Sequence, residues 1–372
     1  MTKPKLRVGL IGTGFMGKAH VFGFTSAPRV FDLPLEIVLH TVADITPEAA
    51  ARAAQTLGFA HSTADWRSII ADPEIDLVDI TAPNALHKAM ALAAIAAGKH
   101  VYCEKPLAPL AADARQMSEA AEAAGIKTQV GFNYLCNPVL GLAREMIASG
   151  ELGEIRGYRG LHAEDYMADS TGIYGFRHDP AGGGALADIG SHALATAEFL
   201  CGPISRVMGD LVTMIGERPD GKGGRKAVVV DDVGRAFLRF ENGATGSVEG
   251  NWIATGRKMQ HDFEVYGTKG ALAFSQERFN ELHYFSTADA KGRQGFRRIE
   301  AGPDHVPYGL FCVAAGHQLG FNDLKAIEVA GYVNAIAGKG PEPYNFRAGL
   351  RIQVLVETIQ NSARAGHWLD LA

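Results

Sequence analysis

Four stretches of the chain carry residue types able to bind anions or move protons. Near the amino terminus, Gly12-Thr13-Gly14-Phe15-Met16-Gly17 spells GxGxxG directly after the apolar run Leu6–Ile11. Glycines at that spacing permit a tight turn, close approach of a pyrophosphate to the backbone, and close packing of the next helix on a sheet. With 44 glycines in 372 residues the pattern alone is weak. A strand before it and a helix after it mark it as a dinucleotide loop. Asp44 ends the second apolar run, where a carboxylate can accept hydrogen bonds from the adenosine ribose hydroxyls. That favours NAD, because an acid repels a 2′-phosphate and the nearest following arginine, Arg52, falls within the next helix. The alternative is a turn aspartate at a strand end, since the 27 residues (44 − 17) from Gly17 exceed the usual spacing of about 20.

Further on, Thr81, Pro83, Asn84 and His87 follow a third apolar run, and Glu104-Lys105-Pro106 follows a fourth. Both fall where a parallel sheet binds its ligands, at the carboxyl ends of strands. A Lys-Pro bond adopts cis at modest cost, and a cis bond would aim the Lys105 ammonium into the cleft; a solvated turn lysine is the plainer alternative. The richest stretch is Gly182-Gly183-Gly184-Ala185-Leu186-Ala187-Asp188-Ile189-Gly190-Ser191-His192. At i and i+4, Asp188 and His192 share one helix face. Such a pair supplies a general base with an orienting acid, or it simply packs.

These residues need a scaffold, and the apolar periodicity supplies one. Strands are expected at Leu6–Ile11, Ile37–Ala43, Leu77–Ile80, His100–Tyr102 and Thr128–Val130. Helices are expected at Pro47–Leu57, Ala85–Ala97 and Pro109–Ala124, each stopping near a glycine. This alternation indicates a doubly wound α/β domain over residues 1–130. Residues 131–372 read as an α+β domain with an open, mainly antiparallel sheet. Its expected strands are Ile155–His162, Val207–Ile215, Val228–Phe240, Thr245–Trp252, His261–Tyr266, Ala271–Phe274 and Leu282–Phe285, and its expected helices are Pro138–Ala148, Gly184–Leu200, Asn322–Ala337 and Phe346–Arg364.

Composition narrows the function. The formal charge of −5, from 36 Lys+Arg against 41 Asp+Glu, offers no overall attraction to nucleic acid or an anionic membrane. The run Ala89–Ala97 is far shorter than the roughly 20 residues that cross a bilayer, and Val8–Ile11 is too short for a signal peptide. Cys103, Cys136, Cys201 and Cys312 lie far apart without metal-ligand spacing, so no metal is expected. The expectation is a cytoplasmic protein.

In order, GTGFMG, TAPNALH, Glu104-Lys105-Pro106, GFNY at Gly131–Tyr134 and GGGALADIGSH resemble the Gfo/Idh/MocA oxidoreductases over nearly the whole chain. The resemblance implies an amino-terminal Rossmann domain that binds NAD through Gly12, Thr13, Gly14, Phe15, Met16, Gly17, Asp44, Thr81, Pro83, Asn84, His87, Glu104 and Lys105. It makes Lys105, Asp188 and His192 the catalytic group and implies a homotetramer built on the second domain's sheet. A narrower likeness, to the family's sugar and cyclitol dehydrogenases of inositol, L-glucose and levoglucosan type, rests on His162–Tyr166, Phe176-Arg177-His178 and Gly316-His317. It adds Asn133, Asp165, Arg177 and His317 to Lys105, Asp188 and His192 as substrate-binding candidates. Ala195 and Leu135 depart from family positions that are often Asp and Arg, and no role is carried to them.

Oxidation of a secondary carbinol on a cyclitol or sugar, such as scyllo- or myo-inositol or L-glucose, is the expected reaction. The alternatives are an NAD-dependent glycoside hydrolase using transient oxidation and a non-catalytic nucleotide-sensing regulator. NAD should be used in preference to NADP, and Asp44→Ala should erode that preference mainly by weakening NAD. Steady-state kinetics with both cofactors check this, and equal efficiencies in the unmutated protein would overturn it.

Overall fold

The structure is a computed structural model and describes residues 3–371. In chain order come β1 (Lys5–Ile11), α1 (Phe15–Val30), β2 (Glu36–Ala43), α2 (Pro47–Leu57), β3 (His61–Thr63), α3 (Trp66–Ala71), β4 (Leu77–Ile80), α4 (His87–Ala96), β5 (His100–Cys103), α5 (Ala111–Ala124) and β6 (Thr128–Val130). The strands make one parallel sheet ordered β3-β2-β1-β4-β5-β6. Its order reverses between β1 and β4, the switch point at which such sheets bind ligands. Val8, Leu10, Val78 and Ile80 are fully buried, as both faces of a parallel sheet require. Local chemistry sets the helix ends: the Thr46 side chain accepts from Ala49 N, Pro47 opens α2, and Gly58 closes it at φ +84°. The expectations missed β3 and α3, which are short and carry few apolar residues.

There follow α6 (Pro138–Ala148), β7 (Ile155–Ala163), α7 (Ser191–Cys201), β8 (Ile204–Val212), β9 (Glu217–Pro219), β10 (Arg225–Ala227), β11 (Val233–Phe240), β12 (Thr245–Asn251), β13 (Gln260–Gly267), β14 (Gly270–Ser275), β15 (Glu281–Ser286), β16 (Arg297–Glu300), α8 (Tyr308–Phe311), α9 (Phe321–Ile336), α10 (Phe346–Ala365) and β17 (Leu369–Asp370). A nine-stranded sheet runs β16-β15-β14-β13-β7-β12-β11-β8-β17. It is antiparallel except where β7 and β12 pair in parallel. Tyr158, Leu238, Val248, Phe263 and Leu272 face inward, while Arg235, Phe237 and Arg239 alternate outward. Strand β11 starts at Val233 rather than Val228. Just before it, the Asp231 and Asp232 carboxylates accept the backbone N–H groups of Leu186, Met214 and Ile215, which ties this stretch to loops instead of a ladder.

The chain divides into two compact units, but not at residue 130. One comprises the chain up to Cys136 together with Gly320–Arg351; the other comprises Asn137–Leu319 and the chain from Ile352 onward. Helix α9 therefore belongs with the parallel sheet. Its Tyr332 hydroxyl donates to the carbonyls of Val101 and Lys127 at 2.9 Å. A methyl group at Gly23 of α1 would lie 2.8 Å from the carbonyl oxygen of Lys325, so glycine lets the two helices touch.

Candidate active site

In the first unit the glycine loop has the form an anion requires. Gly12 sits at φ +97°, and a Cβ there would lie 2.9 Å from the carbonyl oxygen of Thr81; one at Gly17 would lie 2.4 Å from that of Gly12. A Cβ at Gly14 would meet nothing within 4 Å. Helix α1 begins after Gly14 with no side-chain cap and no acid in its first turn, so its first amides are left for a phosphate. Thr81 Oγ1 donates to Gly12 O at 2.8 Å. The Thr13 hydroxyl donates to the Asp44 carboxylate, and Ile45 N–H donates to Asp44 Oδ1 at 2.7 Å. Asp44 is thus oriented at the end of β2, and these residues fit a dinucleotide.

Beyond β4 and β5 the site residues divide by burial. Pro83 is exposed, and Asn84 and Lys105 are half-buried. His87 is fully buried, its ring nitrogens 2.8 Å from Ala82 O and 3.0 Å from Pro106 O. Burial lowers its pKa, and the ring pins two ligand-edge loops together. The Lys105–Pro106 bond is cis. Glu104 Oε2 accepts the backbone N–H of Lys105 at 3.0 Å, while Oε1 lies 2.8 Å from His20 Nε2 and 3.0 Å from Lys325 Nζ. Burial pushes the Glu104 carboxyl up, but Lys325 and His20 override it and hold the group far below the usual carboxylate range. Burial likewise opposes charge on His20, yet Asp79, 2.8 Å from Nδ1, helps raise its pKa. The buried Nδ2 of Asn133 has no hydrogen-bond partner.

In the second unit the expected helix Gly184–Leu200 has a different start. Leu186–Gly190 forms a π-helical turn that runs into α7, a feature that frequently marks functional sites. Asp231 holds its entrance, accepting Leu186 N–H at 2.8 Å; burial pushes this carboxyl up to about 6. Asp188 Oδ2 accepts from Arg177 Nε and from the Tyr166 hydroxyl, each at 2.8 Å. Burial opposes the Arg177 charge, but Asp188 more than offsets it and raises the pKa. Although 43% of the Tyr166 surface is exposed, its hydroxyl lies against Asp188, and burial and that charge raise its pKa.

His192 lies among two further buried histidines. Its ring centroid is 5.5 Å from that of His162 and 6.3 Å from that of His261, and the last two stack at 5.0 Å. They are cross-strand partners, His261 on β13 facing His162 on β7. His162 contacts Ile189 O through Nδ1 and Glu164 Oε1 through Nε2, both at 3.0 Å, so it braces the π turn. Burial, with help from His162, lowers the His261 pKa to about 3, keeping that ring neutral near pH 7.

Among the substrate-binding candidates, the structure joins Arg177 to Asp188 but gives Asp165 and His317 other surroundings. The Asp165 carboxylate is committed to Lys258 Nζ at 2.7 Å and Gly256 N–H at 3.0 Å, a pairing in which Lys258 lowers its pKa. His317 is on an exposed loop. Tyr166, His162, Glu164 and His261 were not among the expected site residues. Alternation along β7 and just beyond it could have separated Tyr166 from Asp165. Nothing local to the sequence pairs His162 with His261. Among the described residues, no group of three or more His, Cys, Asp or Glu is placed to hold a metal, and no helix is long and apolar enough to cross a membrane.

A glycine loop opening an uncapped helix at the switch point of a parallel sheet, with an acid at the end of β2, defines an NAD-dependent dehydrogenase. Residues 6–132 match the model of the oxidoreductase family with an NAD-binding Rossmann fold, and residues 141–273 match the GFO/IDH/MocA C-terminal domain. The chain belongs to the Gfo/Idh/MocA family of oxidoreductases. It is 40% identical to a levoglucosan dehydrogenase of Pseudarthrobacter phenanthrenivorans, over 98% of both chains. It is 26% identical to a myo-inositol 2-dehydrogenase of Thermotoga maritima, over 79% of this chain and 81% of that one. A solved levoglucosan dehydrogenase in complex with NADH and L-sorbose superposes with a TM-score of 0.96 at 40% identity, covering 99% of each chain.

The depressed pKa of His261 carries a linkage consequence. Between the unfolded value of about 6.5 and the folded value of about 3, the unfolded chain binds a proton that the folded chain does not. Stability is therefore lost as pH falls through that window, at up to about 1.4 kcal/mol per pH unit for this group. His261→Asn should flatten the acid limb of a stability–pH profile measured by denaturant unfolding. An unchanged slope would remove the assignment.

Proposed function

We propose that the protein oxidises a secondary hydroxyl on a sugar or cyclitol, with an anhydrosugar of the levoglucosan kind the first substrate to try. One observation supports this reading: Asp188, in a π turn that leads into His192, is held by Arg177 and Tyr166, a set of polar groups of the kind that pairs with a polyol's hydroxyls. The 40% identity to a levoglucosan dehydrogenase along nearly the whole chain supports the substrate class.

The reaction must remove a carbinol proton, whose pKa is far above 7, as hydride leaves carbon. NAD, when bound, accepts that hydride. The Lys105 ammonium stabilises the developing alkoxide, and His192 takes the proton. Asp188, fixed by Arg177 and Tyr166, accepts hydrogen bonds from substrate hydroxyls or from the imidazole. Asn133, with a buried amide nitrogen left unpaired in the first unit, supplies a further donor. In the same reading the protein works in the cytoplasm as a homotetramer joined through the open face of its nine-stranded sheet, where Phe237 is 61% exposed.

Screening levoglucosan, inositols and hexoses for net NADH formation tests the reading; glycoside cleavage without net NADH, or no turnover with any of them, would overturn it. Lys105→Ala and His192→Ala should each lower kcat at least 100-fold, on the order expected for loss of a general acid–base or charge-stabilising group, with NAD binding little changed in titrations. Arg177→Ala should raise KM for the sugar and leave NAD affinity in place. Sedimentation should show a tetramer that Phe237→Glu dissociates, and a monomer from the unmutated chain at working concentration would end the assembly proposal.

A further inference from the structure

A fully buried charge in the first unit touches the residue that precedes the proposed catalytic lysine. The Lys325 ammonium on α9 is fully buried and lies 3.0 Å from Glu104 Oε1, Glu328 Oε2 and the Tyr102 hydroxyl, and 2.9 Å from His20 Nε2. Glu104 is the only one of these partners adjacent in sequence to Lys105. Its other oxygen accepts the Lys105 backbone N–H at 3.0 Å. The carboxylate packs against Gly131, where a Cβ would fall 2.4 Å from Oε1, so the glycine leaves it the space it occupies. One oxygen is therefore clamped by Lys325 and His20 while the other clamps the Lys105 backbone.

We propose that Lys325 is a positioning residue for Lys105, acting through Glu104. A buried carboxylate remains ionised and fixed only while its cation is present. Without the Lys325 ammonium, Glu104 takes up a proton or turns toward His20, and the Lys105 peptide loses the acceptor that sets its place. Displacing a reacting group by about 1 Å can cost on the order of 10²-fold in rate. Glu328 separates this role from simple stability, because it shares the Lys325 ammonium but has no contact with the Glu104–Lys105 peptide among those described.

The inference rests on Lys105 acting in the reaction, so Lys105→Ala is measured alongside. Lys325→Met should lower kcat about 10- to 100-fold, with KM for NAD and for the sugar within about twofold. Glu328→Gln should keep kcat within about threefold while lowering the thermal midpoint. Glu104→Gln, which preserves shape and an acceptor oxygen but loses the ion pair, should reproduce the kcat loss and serves as the test if Lys325→Met does not fold. Folded Lys325→Met or Glu104→Gln with unmutated kcat, or equal kcat losses in Glu328→Gln and Lys325→Met, would overturn the proposal. A fully active Lys105→Ala would instead remove the reading beneath it.

Discussion

Glu104 is a carboxylate with almost no contact with water at the carboxyl end of β5, and much of the first unit is arranged to keep it charged. An ionised carboxyl in a protein interior is costly unless cations and hydrogen-bond donors surround it. Here they come from distant parts of the chain: His20 from α1, Lys325 from α9 and the amide of Lys105. Asp79 on β4 steadies His20, while Glu328 and Tyr102 steady Lys325. Removing one partner from such a cluster typically costs about 3–5 kcal/mol. That constraint explains why a helix more than 180 residues beyond β6 belongs with the parallel sheet.

The second unit solves a related problem differently. Asp188 is held by an arginine and a tyrosine hydroxyl rather than by a buried cluster of charges. The π turn that carries it is gripped at its start by Asp231 and braced at Ile189 by His162. Behind His192 stands His261, which burial keeps neutral. A neutral neighbour adds no positive charge beside His192, which suits the proton-accepting role proposed for it. Local supports thus hold the proposed reactive groups of both units: a carboxylate behind Lys105, and two histidines around His192.

The two units also differ in how they use glycine. In the glycine loop Gly12 and Gly17 remove side chains that would strike neighbouring backbone, while a Cβ at Gly14 would meet only open space. At Gly184 a Cβ would fall 2.3 Å from Asp231 Oδ1, so this glycine lets a buried carboxylate reach the entrance of the π turn. One set serves an incoming anion; the other serves an internal one.

Sequence alone determined the features whose causes are local. Apolar alternation and helix-stop glycines located β1, β2, α2, β4, β6 and α6 to within a residue or so, and the GxGxxG loop with Asp44 at the end of β2 named the cofactor. The ordered motifs named the family. Residues 61–71 were missed because a three-residue strand and a six-residue helix bury too little to leave a period. Tertiary structure decided what depends on partners far apart in the chain. It moved α9 into the first unit, tied Glu104 to Lys325, set His261 opposite His162 through strand register, and turned the expected α-helical start at Leu186 into a π turn. It also placed Tyr166 rather than Asp165 on Asp188. Periodicity specifies which face of an element is buried, but not which charged group from another element will meet it there. The cost of leaving a buried charge or amide without a partner is settled only when the whole chain has folded.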